Sequence, residues 1–395
     1  MNRVNHQPLE RIAGPVGPRR IQSGFSLVEL MVSLAISLVI LAALVALFVN
    51  TSRSNREFER ANSMIENGRL AIQVLENDVI HAGFWGTYVP QFDDQTADAA
   101  PADVPILVPG PCLAYNLWNA DYENALIGLP VQAYDDEAAC PALILNKVPN
   151  TDVLLVRHAD TCVPGESVNC APITPGGLYF QVGRCTTDPD PFVLGQSPAA
   201  PGDPDPFTLL QRECDATAPA EIRRFVSNIY YVRDYALNPG DGTPTLMRSE
   251  FDVVGGIPQH VAAVPLIEGI EGFRVELGID DLSETGAAVD YTEQVEWQDP
   301  EFRTIAVNRG DGVPDGDFLR CTAGAPCTVA ELTNVTAVKL HVLARSPQVT
   351  PGHTDTKTYV LGSAGNMGPF NDGFKRHLFV TTVRLPNPAG RRMTP

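Results

Sequence analysis

The chain has 395 residues and a formal charge of −19, which is room for one large domain or two small ones. Residues 1–24 hold Arg3, Arg11, Arg19 and Arg20 against Glu10, a charge of +3 that leaves −22 on residues 25–395. A surface that acidic repels phosphate backbones and argues against a nucleic-acid partner.

Leu30–Val49 is a run of 20 residues interrupted only by Ser33 and Ser37. As a helix rising about 1.5 Å per residue it spans roughly 30 Å, the thickness of a bilayer core. Basic residues precede it, so the positive-inside rule leaves the N-terminus cytoplasmic and the rest of the chain outside. A secretory signal would end in a small-residue cleavage site after the apolar run. Here the run continues as LAALVALFVNTSRSN, and the unusual feature stands before it, in Gly24-Phe25-Ser26-Leu27-Val28-Glu29. A carboxylate in a membrane helix costs about 2.5–3.5 kcal/mol at the helix centre on insertion scales, so Glu29 marks a function rather than a bare anchor.

The string GFSLVELMVSLAISLVILAALVALF resembles the class III signal of type IV prepilins. The resemblance implies a cleaved leader, residues 1–24, cut by the prepilin peptidase between Gly24 and Phe25. It also implies N-methylation of Phe25, and a role for Glu29 in assembly.

The helical period continues beyond the apolar run. Phe58, Ala61, Ile65, Gly68, Ile72, Leu75 and Val79 recur at steps of three and four, while Arg56, Glu59, Arg60, Asn67 and Glu76 point elsewhere. Termination is expected near His81-Ala82-Gly83. One pilin-type helical segment over 25–82, transmembrane over about 30–49, then meets lipid with its first half and a protein core with its second. Residues 66–86, ENGRLAIQVLENDVIHAGFWG, are similar to the stretch after the membrane helix in the PilW family of minor pilins. Residues 269–280, 332–346 and 377–387 are similar to later parts of that family.

Those later pieces also read as strands by themselves. Phe273, Val275, Leu277 and Ile279 alternate with Arg274, Glu276 and Gly278, and Val338, Leu340 and Val342 alternate with Lys339 and His341. The pattern predicts sheets with one buried face, which places His341 toward solvent. FVSNIYYVRD and TLMRSEFD flank Asn238-Pro-Gly-Asp-Gly, a hairpin signal. The fold expected is α+β: a long N-terminal helix packed on a largely antiparallel sheet in a globular, β-rich domain over 83–395. DPDPF occurs at 188–192 and 203–207, and this proline and aspartate density predicts a solvated loop over about 186–207.

The eight cysteines all follow the apolar run and none forms C-x-x-C, which points to disulfides in an oxidising space rather than zinc. Nearest-neighbour pairing gives Cys112–Cys140, Cys162–Cys170, Cys185–Cys214 and Cys321–Cys327, one of 105 connectivities that eight cysteines allow. The two short loops are the best supported, because their Pro/Gly-containing interiors turn back easily.

Catalytic patterns are not found: there is no G-x-x-x-x-G-K-[ST], G-x-S-x-G or H-E-x-x-H. Nothing points to an enzyme or to a cofactor. Asp311, Asp315 and Asp317 on a glycine-rich turn are calcium candidates, although EF-hand spacing fails because Arg309 and Val307 stand where ligands would be. An acidic turn is the plainer reading.

The resemblance implies a non-catalytic minor pilin that primes type IV pilus assembly and sits at the pilus tip. It would be a single-pass inner-membrane protein with a periplasmic C-terminal domain. The implied partners are the prepilin peptidase, PilV-, PilX- and FimU-like minor pilins, the major pilin, a tip adhesin and the inner-membrane assembly platform. Two alternatives remain open at this stage: a GspJ-like pseudopilin of type II secretion, and a membrane-anchored adhesin or binding protein.

Overall fold

A computed structural model describes residues 24–136, 140–200 and 202–393; residues 1–23 of the expected leader lie outside them. Packing divides the chain into two units, Met1–Glu57 and Phe58–Pro395. Helix α1, Leu27–Val79, runs through both. In the first unit its apolar side chains are exposed among the described residues, Leu30, Leu34, Leu41 and Phe48 included.

In the second unit α1 buries Met64, Gly68, Ala71, Leu75, Asp78 and Val79. This face is the expected one rotated by about one residue. Ile65 and Ile72 become its half-buried flanks, and Phe58, expected inside, is 65% exposed. A mixed period of three and four fits two adjacent faces, and contact with the sheets selects between them. Past Val79 the chain turns, with Gly83 at φ +72 in the left-handed region and its N–H donating to the Arg157 carbonyl at 3.0 Å. Glycine adopts that φ at little cost, so the turn falls where the sequence provides one.

The large sheet has eight antiparallel strands: β1 (Val131–Tyr134), β2 (Val153–Ala159), β3 (Leu178–Val182), β4 (Phe192–Gln196), β5 (Ile222–Arg233), β6 (Thr245–Val254), β7 (Ile257–His260) and β8 (Val264–Glu268). β5 is its hub, pairing with β2, β3 and β6. The hairpin expected around Asn238-Pro-Gly-Asp-Gly is formed by β5 and β6, with Arg233 opposite Thr245. β4 lies inside the stretch expected to be a solvated loop. It pairs along β3, and Leu194 is buried with Phe180 and Phe225. Its apolar Phe192-Val-Leu is short enough for the flanking prolines to have masked it.

The small sheet has the order β13-β10-β9, from β9 (Ile270–Ile279), β10 (Val335–Arg345) and β13 (Arg376–Arg384). Strands β11 (Tyr359–Val360) and β12 (Asn366–Met367) form a separate two-stranded piece in the excursion before β13. Short helices α2 (Ala120–Gly128), α3 (Val329–Thr333) and α4 (Pro386–Arg392) complete the chain. One core joins α1 to both sheets through Leu75, Val79, Leu154, Tyr230, Phe273, Val275, Leu340 and Val342.

The polar phase of the small sheet is not solvated, contrary to the alternation argument. Arg274 is 7% exposed, Glu276 4% and His341 5%. Loops cover this second face and supply partners. Asp152 holds Arg274 at 3.1 Å and Arg320 at 2.6 Å. Glu276 accepts from Ser363 Oγ at 2.7 Å and contacts His341 Nε2 at 2.9 Å. A buried polar group is tolerated when it is hydrogen-bonded, so the period-2 pattern reports polarity here but not exposure.

Two predictions follow from this packing. A Cβ at Gly68 would collide with the Phe379 ring. Ala at an unobstructed helical Gly gains about 0.5–1 kcal/mol, but crowding a packed site costs about 1–3 kcal/mol, so crowding wins. Gly68→Ala should lower the unfolding midpoint of the full chain, and adding Phe379→Ala should reduce that effect, giving a non-zero coupling energy.

The second concerns His260, which lies between Ser227 Oγ at 3.2 Å and Ser249 Oγ at 3.4 Å. Burial, reinforced by the nearby Arg157 charge, pushes its pKa down to about 3. The unfolded chain then takes up a proton near pH 6.5 that the folded chain refuses. His260 therefore contributes stability above about pH 6.5 that is lost as pH falls toward its folded pKa. Unfolding midpoints measured from pH 7 to 5 should decline, and His260→Gln should flatten the decline.

Candidate functional site

The candidate site is the start of α1. Ser26 is the residue before the helix: its carbonyl accepts from Leu30 N–H at 3.0 Å, and its Oγ accepts from Glu29 N–H at 3.4 Å. The S-x-x-E spacing is a helix-start signature in which a serine side chain satisfies an orphan amide of the first turn. Sequence reasoning passed over Ser26, although that spacing was available to find it. Glu29 is the acidic residue of the first turn, where the positive end of the helix dipole favours negative charge.

From Phe25 to Ser52 the only ionisable side chain is Glu29. The polar interruptions are satisfied within the helix: Ser33 Oγ donates to the Leu30 carbonyl at 3.0 Å, and Ser37 Oγ to the Ser33 carbonyl at 2.7 Å. In hydrocarbon every polar group must find an internal partner, and these two do. Among the described residues no atom lies within 4 Å of where a Cβ on Gly24 would project, and Phe25 is 83% exposed. Among the described residues one helix, α1, is long and apolar enough to cross a membrane.

Loop amides engage the carboxylates of two of the three calcium candidates. Asp311 turns back to accept its own loop's Val313 N–H at 2.8 Å, and Asp315 accepts Leu282 N–H at 2.8 Å. Among the described residues no three His, Cys, Asp or Glu side chains gather so as to hold a metal ion. One carboxylate oxygen of Asp311 and one of Asp315 are thus engaged by loop amides. The cysteines form Cys112–Cys140, Cys162–Cys170, Cys185–Cys214 and Cys321–Cys327.

The sequence also gave no sign of the polar anchorage of α1. Asp78, on the buried face, contacts His158 Nε2 at 3.1 Å and accepts from Asn228 Nδ2 at 3.1 Å on each oxygen. The helix is thereby tied to β2 and β5. At the far end of the chain Arg392, 1% exposed, pairs with Asp93 at 3.1 Å and Asp280 at 3.4 Å.

Comparison with known proteins bears on both ends of this arrangement. Residues 19–45 match the prokaryotic N-terminal methylation motif. Residues 229–387, from within β5 to the start of α4, match the family described as Type IV Pilus-assembly protein W. No curated protein matches the chain. Among solved structures, a type IV-like pilin from Thermus thermophilus aligns at 15% identity over 61% of this chain and 80% of its own, with a TM-score of 0.23. That score is too low to carry an argument. The chain thus joins a methylation motif at the head of an apolar helix to a domain similar to the PilW family on the sheets that enclose that helix's second half, the two signatures of a type IV pilin-like protein.

Proposed function

We propose that this protein is a non-catalytic minor pilin that joins the initiation complex of a type IV pilus and remains at its tip. The observation that carries the reading is Glu29, the sole ionisable side chain of the apolar segment, five residues beyond Gly24. In a subunit held in the inner membrane it lies near the surface, within reach of water. In a bundle of pilin helices it enters an apolar interior, where an unpaired charge is expensive. A cation is at hand in the amine of Phe25, its own or a neighbour's, once the leader is removed. N-methylation keeps that amine basic. Pairing reduces the cost of burial and selects the axial register of an incoming subunit.

In this reading the prepilin peptidase cuts after Gly24, with backbone and almost no side chain beside the scissile bond. The globular unit lies in the periplasm, where disulfides persist. Other minor pilins, the major pilin, a tip adhesin and the assembly platform are the partners the family implies.

Gly24→Val should leave uncleaved precursor in the membrane, seen as a slower band and an unmethylated N-terminus by mass spectrometry. Processing at the wild-type rate would contradict the cleavage assignment. Glu29→Ala should be cleaved and inserted normally. Its recovery with other minor pilins should fall on the order of tenfold, the equivalent of about 1.4 kcal/mol. Wild-type piliation and wild-type recovery in that variant would remove the role.

A further inference from the structure

We infer that the globular unit has a binding pocket for an acidic sugar, a ring bearing hydroxyls and one carboxylate. A cavity of about 420 Å³ opens between the end of β3, the 208–221 loop and the start of β5. That volume is in the range of small-molecule sites. Its apolar wall is Phe180, Val182 and Ala220, and its polar wall includes Arg184, Arg212, Gln211, Glu213, Glu221 and Arg223.

Three features define the ligand. First, Arg184 and Arg212 have no hydrogen-bonding or ion-pair partner for their guanidinium groups among the described residues. Arg223 differs: it is held by Glu221 at 2.6 Å and by the carbonyls of Asp160 and Thr161 at 3.1 and 2.6 Å. Three arginines against two glutamates make the lining net positive on a chain whose residues 25–395 carry −22. Unpaired guanidinium forks match a carboxylate in shape and charge.

Second, the backbone that carries the two free arginines is anchored. Arg184 N–H donates to the Leu210 carbonyl at 3.0 Å. The neighbouring Cys185 is bonded to Cys214, two residues past Arg212. Such anchoring reduces the ordering cost of binding.

Third, Glu213 and Glu221 also line the cavity. They disfavour a dianion such as a phosphate monoester, and they accept hydrogen bonds from hydroxyls, as does the Gln211 amide oxygen. The apolar wall suits the C–H face of a sugar ring. A monoanionic polyol satisfies all of these together, and a uronate is the simplest member of the class. The inference does not depend on the role proposed for Glu29.

The test is titration of the full-length protein in detergent with galacturonate, galactose and glycerol 3-phosphate, read by calorimetry or by saturation-transfer NMR. Galacturonate should bind with a Kd on the order of millimolar, and galactose and glycerol 3-phosphate at least about tenfold more weakly. Arg184→Gln with Arg212→Gln should weaken galacturonate about tenfold, while Arg303→Gln, at an exposed pair elsewhere with Asp98, should bind as wild type. Arg184 and Arg212 are both exposed, so unfolding midpoints should be unchanged and a failure to fold would not mimic the result. Trigalacturonate binding more tightly than the monosaccharide would identify the source as a unit within a polymer; equal affinity would identify the free sugar. No saturation by galacturonate, unchanged affinity in the double variant, or tighter binding of glycerol 3-phosphate would each overturn the inference.

Discussion

A single helix in this protein must satisfy two media that demand opposite surfaces. Its first half offers no charge but Glu29 and turns its serines back onto its own carbonyls. Its second half buries one stripe and leaves Glu59, Glu66 and Glu76 outside. Hydrocarbon requires that every polar group be satisfied internally, whereas a protein core requires only that the inward face be complementary. The remaining fold supplies that complement. Two antiparallel sheets bring Leu154, Tyr230, Phe273 and Leu340 against Ala71, Leu75 and Val79. The buried carboxylate of Asp78 is met by His158 and Asn228 from the large sheet. Losing one member of such a group is expensive, since a buried polar atom left unmatched costs about 1–3 kcal/mol.

The helix, the β5–β6 hairpin and the strands β9, β10 and β13 were all legible in the residues, because each is long and strongly periodic or bounded by strong turn residues. What was not legible had a common cause: periodicity records polarity, and polarity stands for exposure only when one face meets water. Arg274, Glu276 and His341 sit in the polar phase of their strands and are buried all the same, because distant loops carrying Asp152 and Ser363 fold over them. No local pattern announces a partner 87 or 122 residues away. For the same reason Phe58 was expected inside, and Asp78 was not singled out at all.

At the candidate site the balance is different. Gly24, Phe25 and Glu29 stand in one contiguous motif, and their significance is written in adjacent residues that need no tertiary context. Ser26 belongs with them as the helix start; the S-x-x-E spacing marks it but was not used to single it out. The acidic turn at Asp311, Asp315 and Asp317 shows the opposite limit. Composition suggested ligands, and only the positions of the Val313 and Leu282 amides reveal where the carboxylate oxygens are engaged.

The four disulfides have sequence separations of 28, 8, 29 and 6. None encloses or interleaves with another, so each cysteine is joined to the next one along the chain. A polypeptide whose N-terminus stays inside, and whose remainder is threaded outward starting from the apolar helix, presents its thiols to the oxidising side in that same order. Each new pair is complete before the following cysteine emerges, and the first thiol an oxidised cysteine can meet is its native partner. The connectivity is therefore compatible with oxidation in step with export, with no later need for an isomerase to exchange one bridge for another.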